Sequence, residues 1–203
     1  MLLILLALAG ATPVVAAPIY GAPPTPLAVE AMHNFGNCVV RYTPAGAREL
    51  LAMDFRTAVY GETMRRLARG HGRCAPRSEI RFNGLLFAGA LAEALLETDV
   101  RTSDLPSRLA RDPSRPAIAA RDEVETMALC AVLASPAGAA ALFATDPASK
   151  EQTAAMQTLA PTLGTCLAQN MQVKLNPPAL RSVLALAAWR IAKGHGAVQE
   201  AAK

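Results

Sequence analysis

The chain contains the same phrase twice, and this duplication limits the fold more than any other feature. Residues 38–54 read CVVRYTPAGARELLAMD, and residues 130–146 read CAVLASPAGAAALFATD. A shift of 92 positions without gaps gives 14 identities in the 37 positions from Cys38 to Cys74, matched with Cys130 to Cys166. After this stretch the offset becomes 93, because one residue has been inserted. A tandem duplication explains the matches and predicts that both copies fold alike.

The four cysteines follow the same duplication. Cys38 and Cys74 are 36 positions apart, as are Cys130 and Cys166. A unit that existed before duplication had only its own two cysteines, so we predict the disulfides Cys38–Cys74 and Cys130–Cys166. In the loop-entropy model each bridge contributes roughly 3–4 kcal/mol to stability. Zinc is the alternative, but no CxxC motif and no histidine at matched positions supports it, so no metal site is predicted.

The composition favours helices. The chain has 203 residues, 52% of them apolar but only 4% aromatic, and Ala, Leu, Arg and Glu dominate. These residues form helices that pack through small side chains, whereas a β-sandwich uses more Val, Ile, Tyr and Phe. We therefore predict an all-α protein. It is a tandem duplication of a disulfide-stapled unit of about four helices.

Each unit shows the same succession of helix signals. The first helix carries apolar residues at the spacing of one buried face and also holds the first cysteine. Thr43-Pro44 and Ser135-Pro136 then place a hydroxyl residue at the N-cap and proline at N1 of the second helix. We expect Asp54 and Asp146 to cap the third helix. The third helix should end at Gly70 in the first unit and at 161–164 in the second.

A fourth helix follows Asn83 in one unit and Asn176 in the other, each in the N-cap position. Its apolar residues occupy all sides, so we predict that the two units pack through their fourth helices. The alternating EIRF and QVKL pieces that precede these helices could form short extended segments. The predicted boundaries are a signal peptide at 1–16, a leader at 17–28, the first repeat at 29–97, a linker at 98–120, the second repeat at 121–192 and a tail at 193–203.

The first residues, MLLILLALAGATPVVAAP, resemble an export signal. The apolar run from Leu2 to Ala11 is too short to span a bilayer. Cleavage is predicted after Ala16, which gives a periplasmic or secreted protein without a stable transmembrane segment. An uncleaved membrane anchor is the rival interpretation. An oxidising compartment agrees with the predicted disulfides.

The matched positions show no catalytic chemistry. They hold Cys, Pro, Gly, Ala, Leu, Met, Val and a single Asp, which are residues that build a fold. His33, His71 and His195 have no histidine counterpart, and none stands in a recognisable nucleophile or metal motif. We therefore predict no catalytic residues and no cofactor.

The first unit carries an arginine-rich segment that the second lacks. Between residues 38 and 82 there are nine arginines against four acidic residues, whereas the matched part of the second unit is balanced. Such a patch could bind an anionic lipid, an acidic glycan or an acidic partner protein. Ordinary solvated charge is the simpler interpretation. The candidate patch consists of Arg65, Arg66, Arg69, Arg73, Arg77 and Arg81.

The repeated CxVxxxPAGAxxLxAxD phrase, the second cysteine and the apolar GLLFAGALAEALLE helix resemble Ala-rich secreted proteins of Gram-negative bacteria. The resemblance extends from about residue 29 to residue 190. It implies export and carries no activity, ligand or binding residues with it.

Three functional hypotheses follow. The first is a non-catalytic interaction module of the cell envelope or secreted space, with an envelope or secreted protein as its partner. The second is a binder of a small molecule or lipid, with an apolar cavity between the repeats. The third is a secreted enzyme, which requires a cleft that joins His33 or His71 to acidic residues. Export and a net charge of only +4 argue against nucleic acid as a partner.

Overall fold

A computed structural model describes residues 24–75, 83–114, 116–169 and 173–194. This part of the chain is all-helical and has no β-strand. Two short 3₁₀ turns, Gly72–Cys74 and Thr102–Asp104, supplement the α-helices. The α-helices are α1 Pro26–Tyr42, α2 Pro44–Ala52, α3 Ala58–Gly70, α4 Gly84–Asp99, α5 Leu105–Leu109, α6 Glu123–Ala134, α7 Pro136–Phe143, α8 Lys150–Cys166 and α9 Pro177–Lys193.

The helix order is the same in both units, which is compatible with a duplicated unit. Helices α1 to α4 correspond to α6 to α9, and α5 lies between the two sets. The disulfides are Cys38–Cys74 and Cys130–Cys166, each within one unit. In the first unit the bridge ties α1 to the turn after α3, and in the second it ties α6 to the last turn of α8. The all-α prediction is confirmed.

The fourth helices form the centre of the molecule. Among the described helices, α4 and α9 make the most extensive contact, and α1 and α4 make the next most extensive. The backbones approach closely where a Cβ added to Gly89 would lie only 2.4 Å from the Cβ of Ser182. Both helices are buried on several sides, as their all-round apolar pattern predicts. The predicted packing through the fourth helices is confirmed.

Several helix ends differ from the predicted ones. The side chains of Asn83 and Asn176 do cap α4 and α9. Helix α1, however, begins at Pro26, inside the predicted leader, because Thr25 supplies its N-cap hydrogen bond. Thr57 and Ser149, rather than the aspartates three residues earlier, cap α3 and α8.

Helix α8 does not end at 161–164, as predicted, but continues to Cys166. An interior proline such as Pro161 removes one helical hydrogen bond and crowds the carbonyl four residues earlier, at a cost of about 3 kcal/mol, so contacts elsewhere must hold the last turn. Leu163 and Cys166 supply such contacts, because both pack against the core. The α4 and α9 helices also run past the predicted repeat ends, to Asp99 and Lys193.

The segment predicted as a linker is partly structured. Helix α5 lies within it, and both Leu105 and Leu109 are buried. They pack α5 against α7 and α9 of the second unit. The charged and proline-rich composition of this segment is typical of a linker. Leu105 and Leu109 nevertheless stand four positions apart, on one face of a helix.

The described residues contain no single helix long and apolar enough to span a bilayer, although α6 and α7 together pass the same criteria with a bend of 102°. Residues 173–175, part of the QVKL piece, are neither helical nor in a strand. The predicted signal peptide, the EIRF piece, Arg77, Arg81 and His195 lie outside the described residues.

Candidate functional site

Two clefts lie between the units, one on each side of the α4–α9 pair. One is an apolar cavity of about 360 Å³ and the other is a more polar cleft of about 450 Å³. Both are lined by residues from the first and the second unit. The two clefts differ in the side chains that α4 and α9 contribute to their walls. This difference decides which cleft is better suited to a ligand.

The apolar cavity is built from five helices. Leu51 at the end of α2 and Met64 on α3 form one wall, and α4 contributes Ala88. Helices α6 and α9 of the second unit close the other side. Its apolar and aromatic lining residues are Leu51, Phe55, Tyr60, Met64, Leu85, Ala88, Val124, Val183, Leu186 and Trp189.

Three charged side chains stand together at one end of this cavity. The Arg190 guanidinium is buried and forms an ion pair through Nη1 with Glu125. Its Nη2 donates to the carbonyl of Ala119 at 3.1 Å. The other Glu125 oxygen accepts the backbone N–H of Arg121 at 2.6 Å. The Arg121 guanidinium lies over the ring of Phe55, 5.6 Å from its centroid.

The environment of this charged end is partly desolvated. Burial lowers the pKa of Arg121, and the nearby charge of Arg190 lowers it further, whereas Glu125 and Asp54 oppose the shift. Burial also raises the pKa of Tyr60, another lining residue, to about 12. Charges at this end are therefore screened less than charges on the open surface.

The polar cleft is bordered by a buried arginine, Arg181. Arg181 Nη2 lies 2.7 Å from Oε2 of Glu93, and its Nε donates to both oxygens of the same carboxylate. Its Nη1 donates to Thr145 Oγ1 and Gln152 Oε1, both at 3.1 Å. Glu93 lies on α4 and Arg181 on α9, so this network joins the two units through satisfied polar groups.

The alignment of the two repeats shows which residues correspond in the two clefts. Ala88 lies 93 positions before Arg181, and Leu186 lies 93 positions after Glu93. In the apolar cavity these two small or apolar residues stand where the polar cleft has its ion pair. The polar cleft is therefore bordered by an ion pair at the positions where the apolar cavity is bordered by an alanine and a leucine.

The histidines have different environments. His33 lines the polar cleft, and its Nδ1 lies 3.9 Å from Glu93 Oε2. Glu93 already accepts hydrogen bonds from Arg181 on both oxygens, so it is not free to act as a base for His33. His71 Nδ1 lies 2.8 Å from the Leu67 carbonyl, and its Nε2 lies 2.7 Å from Thr43 Oγ1. Since a carbonyl only accepts, Nδ1 donates, and in the neutral ring Nε2 then accepts from the Thr43 hydroxyl; the two bonds hold the ring in place.

Four arginines of the candidate patch are described and all are exposed. Arg65, Arg66 and Arg69 lie on α3, and Arg73 follows it. Arg73 sits over the ring of Tyr42, 5.6 Å from its centroid. The three α3 arginines also line a shallow surface depression. The patch is separate from both clefts.

Sequence reasoning missed the charged residues between the units. The signal was present, because Glu93, Arg181 and Arg190 interrupt helices that are otherwise apolar, and such charges need buried partners. No group of three or more potential metal ligands occurs in the described ranges. Comparisons with protein-family models, characterised proteins and solved structures find no match for this chain.

Proposed function

We propose that this protein is an exported binder of a small, largely apolar molecule, which it holds in the cavity between its two units. The observation that carries the proposal is the cavity itself, about 360 Å³ in volume and lined mainly by apolar side chains from both units. It is an open cleft at the interface between the units, and ligand sites occur preferentially at such interfaces. It falls within the range of small-molecule sites, about 300–1,000 Å³.

The lining chemistry supports the same proposal. Ligand sites combine apolar walls with a few polar groups that orient the ligand. Here the polar groups stand at one end, where Arg121, Glu125 and Arg190 meet. The polar cleft fits this description less well, because a charged network borders it, in which Arg181 donates to Glu93, Thr145 and Gln152.

Two features support export to the periplasm or beyond. The chain carries two disulfides, which persist in oxidising compartments. Residues 1–16 have the apolar run and small residues of a signal peptide. A binder in such a compartment meets lipids and hydrophobic metabolites outside the cytoplasm.

Filling the cavity tests the proposal. Ala88→Leu places a larger apolar side chain in the cavity at the position matched to Arg181. We expect isothermal titration to show one-to-one binding of decanoate or decanol to the parent protein, and at least about tenfold weaker binding to this variant. Ala88 is only 1% exposed, so the larger side chain also displaces its neighbours, and the unfolding temperature of the variant is measured to separate lost binding from lost stability.

The matched control is Ala154→Leu, which makes the same change at an exposed position on α8. This control should bind as the parent does. The proposal is wrong if neither ligand binds the parent, or if Ala88→Leu binds both ligands with parental affinity.

A second candidate function rests on a different observation. The outer side of α3 exposes Arg65, Arg66 and Arg69 beside Arg73, with a single acidic residue, Glu62, in the same depression. This basic surface supports docking of an anionic partner, as an interaction module would require. Its test concerns helix α3 and is given in the Discussion.

A further inference from the structure

We propose that the ligand of the apolar cavity carries an anionic head group, a carboxylate, which Arg121 and Arg190 hold at the charged end. This inference rests on the proposed function and names the class of molecule. Its basis is that the arginines at this end have N–H donors without partners, whereas the nearby carboxylates already accept hydrogen bonds.

Both arginines at the charged end have an N–H donor without a hydrogen-bond partner. Arg190 is only 4% exposed, yet its Nε finds no acceptor among the described residues. The Nε of Arg121 is buried and lacks one as well. A buried donor without an acceptor is costly, so a ligand that supplies acceptors here gains the corresponding free energy.

The nearby carboxylates are already engaged. One Glu125 oxygen pairs with Arg190, and the other accepts the Arg121 backbone N–H. Asp122 caps α6 by accepting the N–H of Glu125 at 2.7 Å. Asp54 accepts hydrogen bonds from the backbone N–H and the guanidinium of Arg56. The Arg121 guanidinium itself makes no hydrogen bond within the described ranges.

The backbone and the guanidinium of Arg121 are both held in place by neighbouring groups. Arg121 is fixed at its backbone, because Arg56 Nη1 donates to its carbonyl at 2.8 Å and Glu125 accepts its N–H. The Phe55 ring supports one face of the guanidinium. A planar guanidinium held in this way is suited to a carboxylate, which it can bind through two parallel hydrogen bonds. The apolar walls would then enclose the hydrocarbon part of the same molecule.

Three ligands with the same hydrocarbon chain separate the contribution of the head group to affinity from that of the chain. Decanoate, decanol and decylamine are titrated into the disulfide-bonded protein at low salt. We expect decanoate to bind at least about tenfold more tightly than decanol, since hydrogen bonds to charged groups are the stronger ones. Decylamine should bind most weakly, because its ammonium group cannot accept hydrogen bonds from the unpartnered Nε donors of Arg121 and Arg190.

The arginine is then tested directly. Arg121→Gln should weaken decanoate binding by about tenfold and leave decanol binding unchanged. The matched control is Arg66→Gln, an exposed arginine on α3, which should change neither. Arg121 is preferred to Arg190 for this test, because removing Arg190 would leave Glu125 without its ion pair.

The outcomes separate this inference from the proposed function. Equal affinities for decanoate and decanol, with no effect of Arg121→Gln, would overturn the anionic head group while the cavity still binds apolar molecules. Tightest binding of decylamine would also overturn it and would assign the head group to Glu125. Absence of binding by all three ligands would reject the proposed function itself.

Discussion

At the scale of single residues, Glu93 and Arg181 have the most constrained environment in the molecule. Their side chains are 5% and 4% exposed, and their ion pair crosses the boundary between the units. A buried ion pair adds little to stability compared with a well-packed apolar pair, but removal of one partner leaves a charge that is costly to bury. The pair should therefore tolerate joint replacement far better than single replacement.

We predict that Glu93→Leu alone lowers the free energy of unfolding by about 3–5 kcal/mol, because it strands the Arg181 guanidinium. The double variant Glu93→Leu with Arg181→Ala copies the residues found at Leu186 and Ala88, and it should recover most of the loss. Urea denaturation of the parent, both single variants and the double variant measures the coupling. Additive losses in the double variant would contradict the prediction.

A second residue, Asp99, links the ends of three helices. Arg48 Nη2 lies 2.6 Å and Lys193 Nζ lies 2.7 Å from its carboxylate. Burial acts to raise the pKa of Asp99, but hydrogen bonds from Arg48 and Lys193, together with their charges, lower it overall. Because the folded pKa lies below the unfolded value of about 3.9, the stabilisation is present above that pH and is lost as the pH falls through the folded pKa.

Asp99→Asn should consequently be less stable than the parent at pH 7, and the difference should shrink as the pH falls below about 4. Thermal unfolding of both proteins at a series of pH values measures this. Glu62→Gln, an exposed carboxylate on α3, serves as the control and should show a smaller difference. A constant gap between Asp99→Asn and the parent from pH 7 to pH 2 would contradict the assignment.

At the scale of elements, the contact between α4 and α9 depends on a small residue. A Cβ at Gly89 would lie 2.4 Å from Ser182 Cβ and 2.6 Å from its Cα, which is closer than packed carbon atoms approach. The helices would have to move apart. Helix propensity alone would make the same substitution favourable, by roughly 1 kcal/mol.

Gly89→Ala should thus destabilise the protein by about 1–3 kcal/mol despite its better helix propensity. Gly164→Ala is the matched control, because it also lies inside a helix but a Cβ there meets nothing within 4 Å. That variant should be neutral or stabilised. Equal unfolding midpoints for both variants would show that the close approach does not limit the packing.

Helix α3 presents the arginine patch on a surface separate from the cavity. Changing Arg65, Arg66, Arg69 and Arg73 to Gln should weaken binding to anionic vesicles at low salt, where electrostatic attraction is strongest. Surface changes rarely shift stability by more than about 0.5 kcal/mol each, so the unfolding midpoint should stay nearly constant. Sedimentation with phosphatidylglycerol vesicles measures binding. Parental binding by the quadruple variant would identify the arginines as ordinary solvated charge.

At the scale of the whole molecule, the repeated sequence pattern predicted the order and packing of the helices better than the cavity between the two units. Matched cysteines, prolines and Asn caps recur with the helix period, so the order of α1 to α4 and the packing of α4 on α9 could be inferred. The cavity could not, because it depends on which residues of one unit face the other. Ala88 looks like any alanine of an apolar helix until its matched position, Arg181, is seen to hold an ion pair beside the opposite cleft.

The same reasoning accounts for the errors at helix ends. Asp54 and Asp146 match between the units and precede their helices, yet Thr57 and Ser149 provide the caps. All four are good cap residues, so the local sequence did not distinguish them. Tertiary contacts made the difference elsewhere, as with the buried Leu105 and Leu109 in the predicted linker.

The central claim is that the two clefts are unequal and that only the apolar one accepts a ligand. Methyl NMR of protein labelled at Ala, Val and Leu, titrated with decanoate, tests it most directly. We predict shifts at Ala88, Val183 and Leu186, which line the apolar cavity, and none at Leu96 or Ala140, which line the polar cleft. Shifts centred on Leu96 and Ala140, or no shifts at any of these methyl groups, would contradict it.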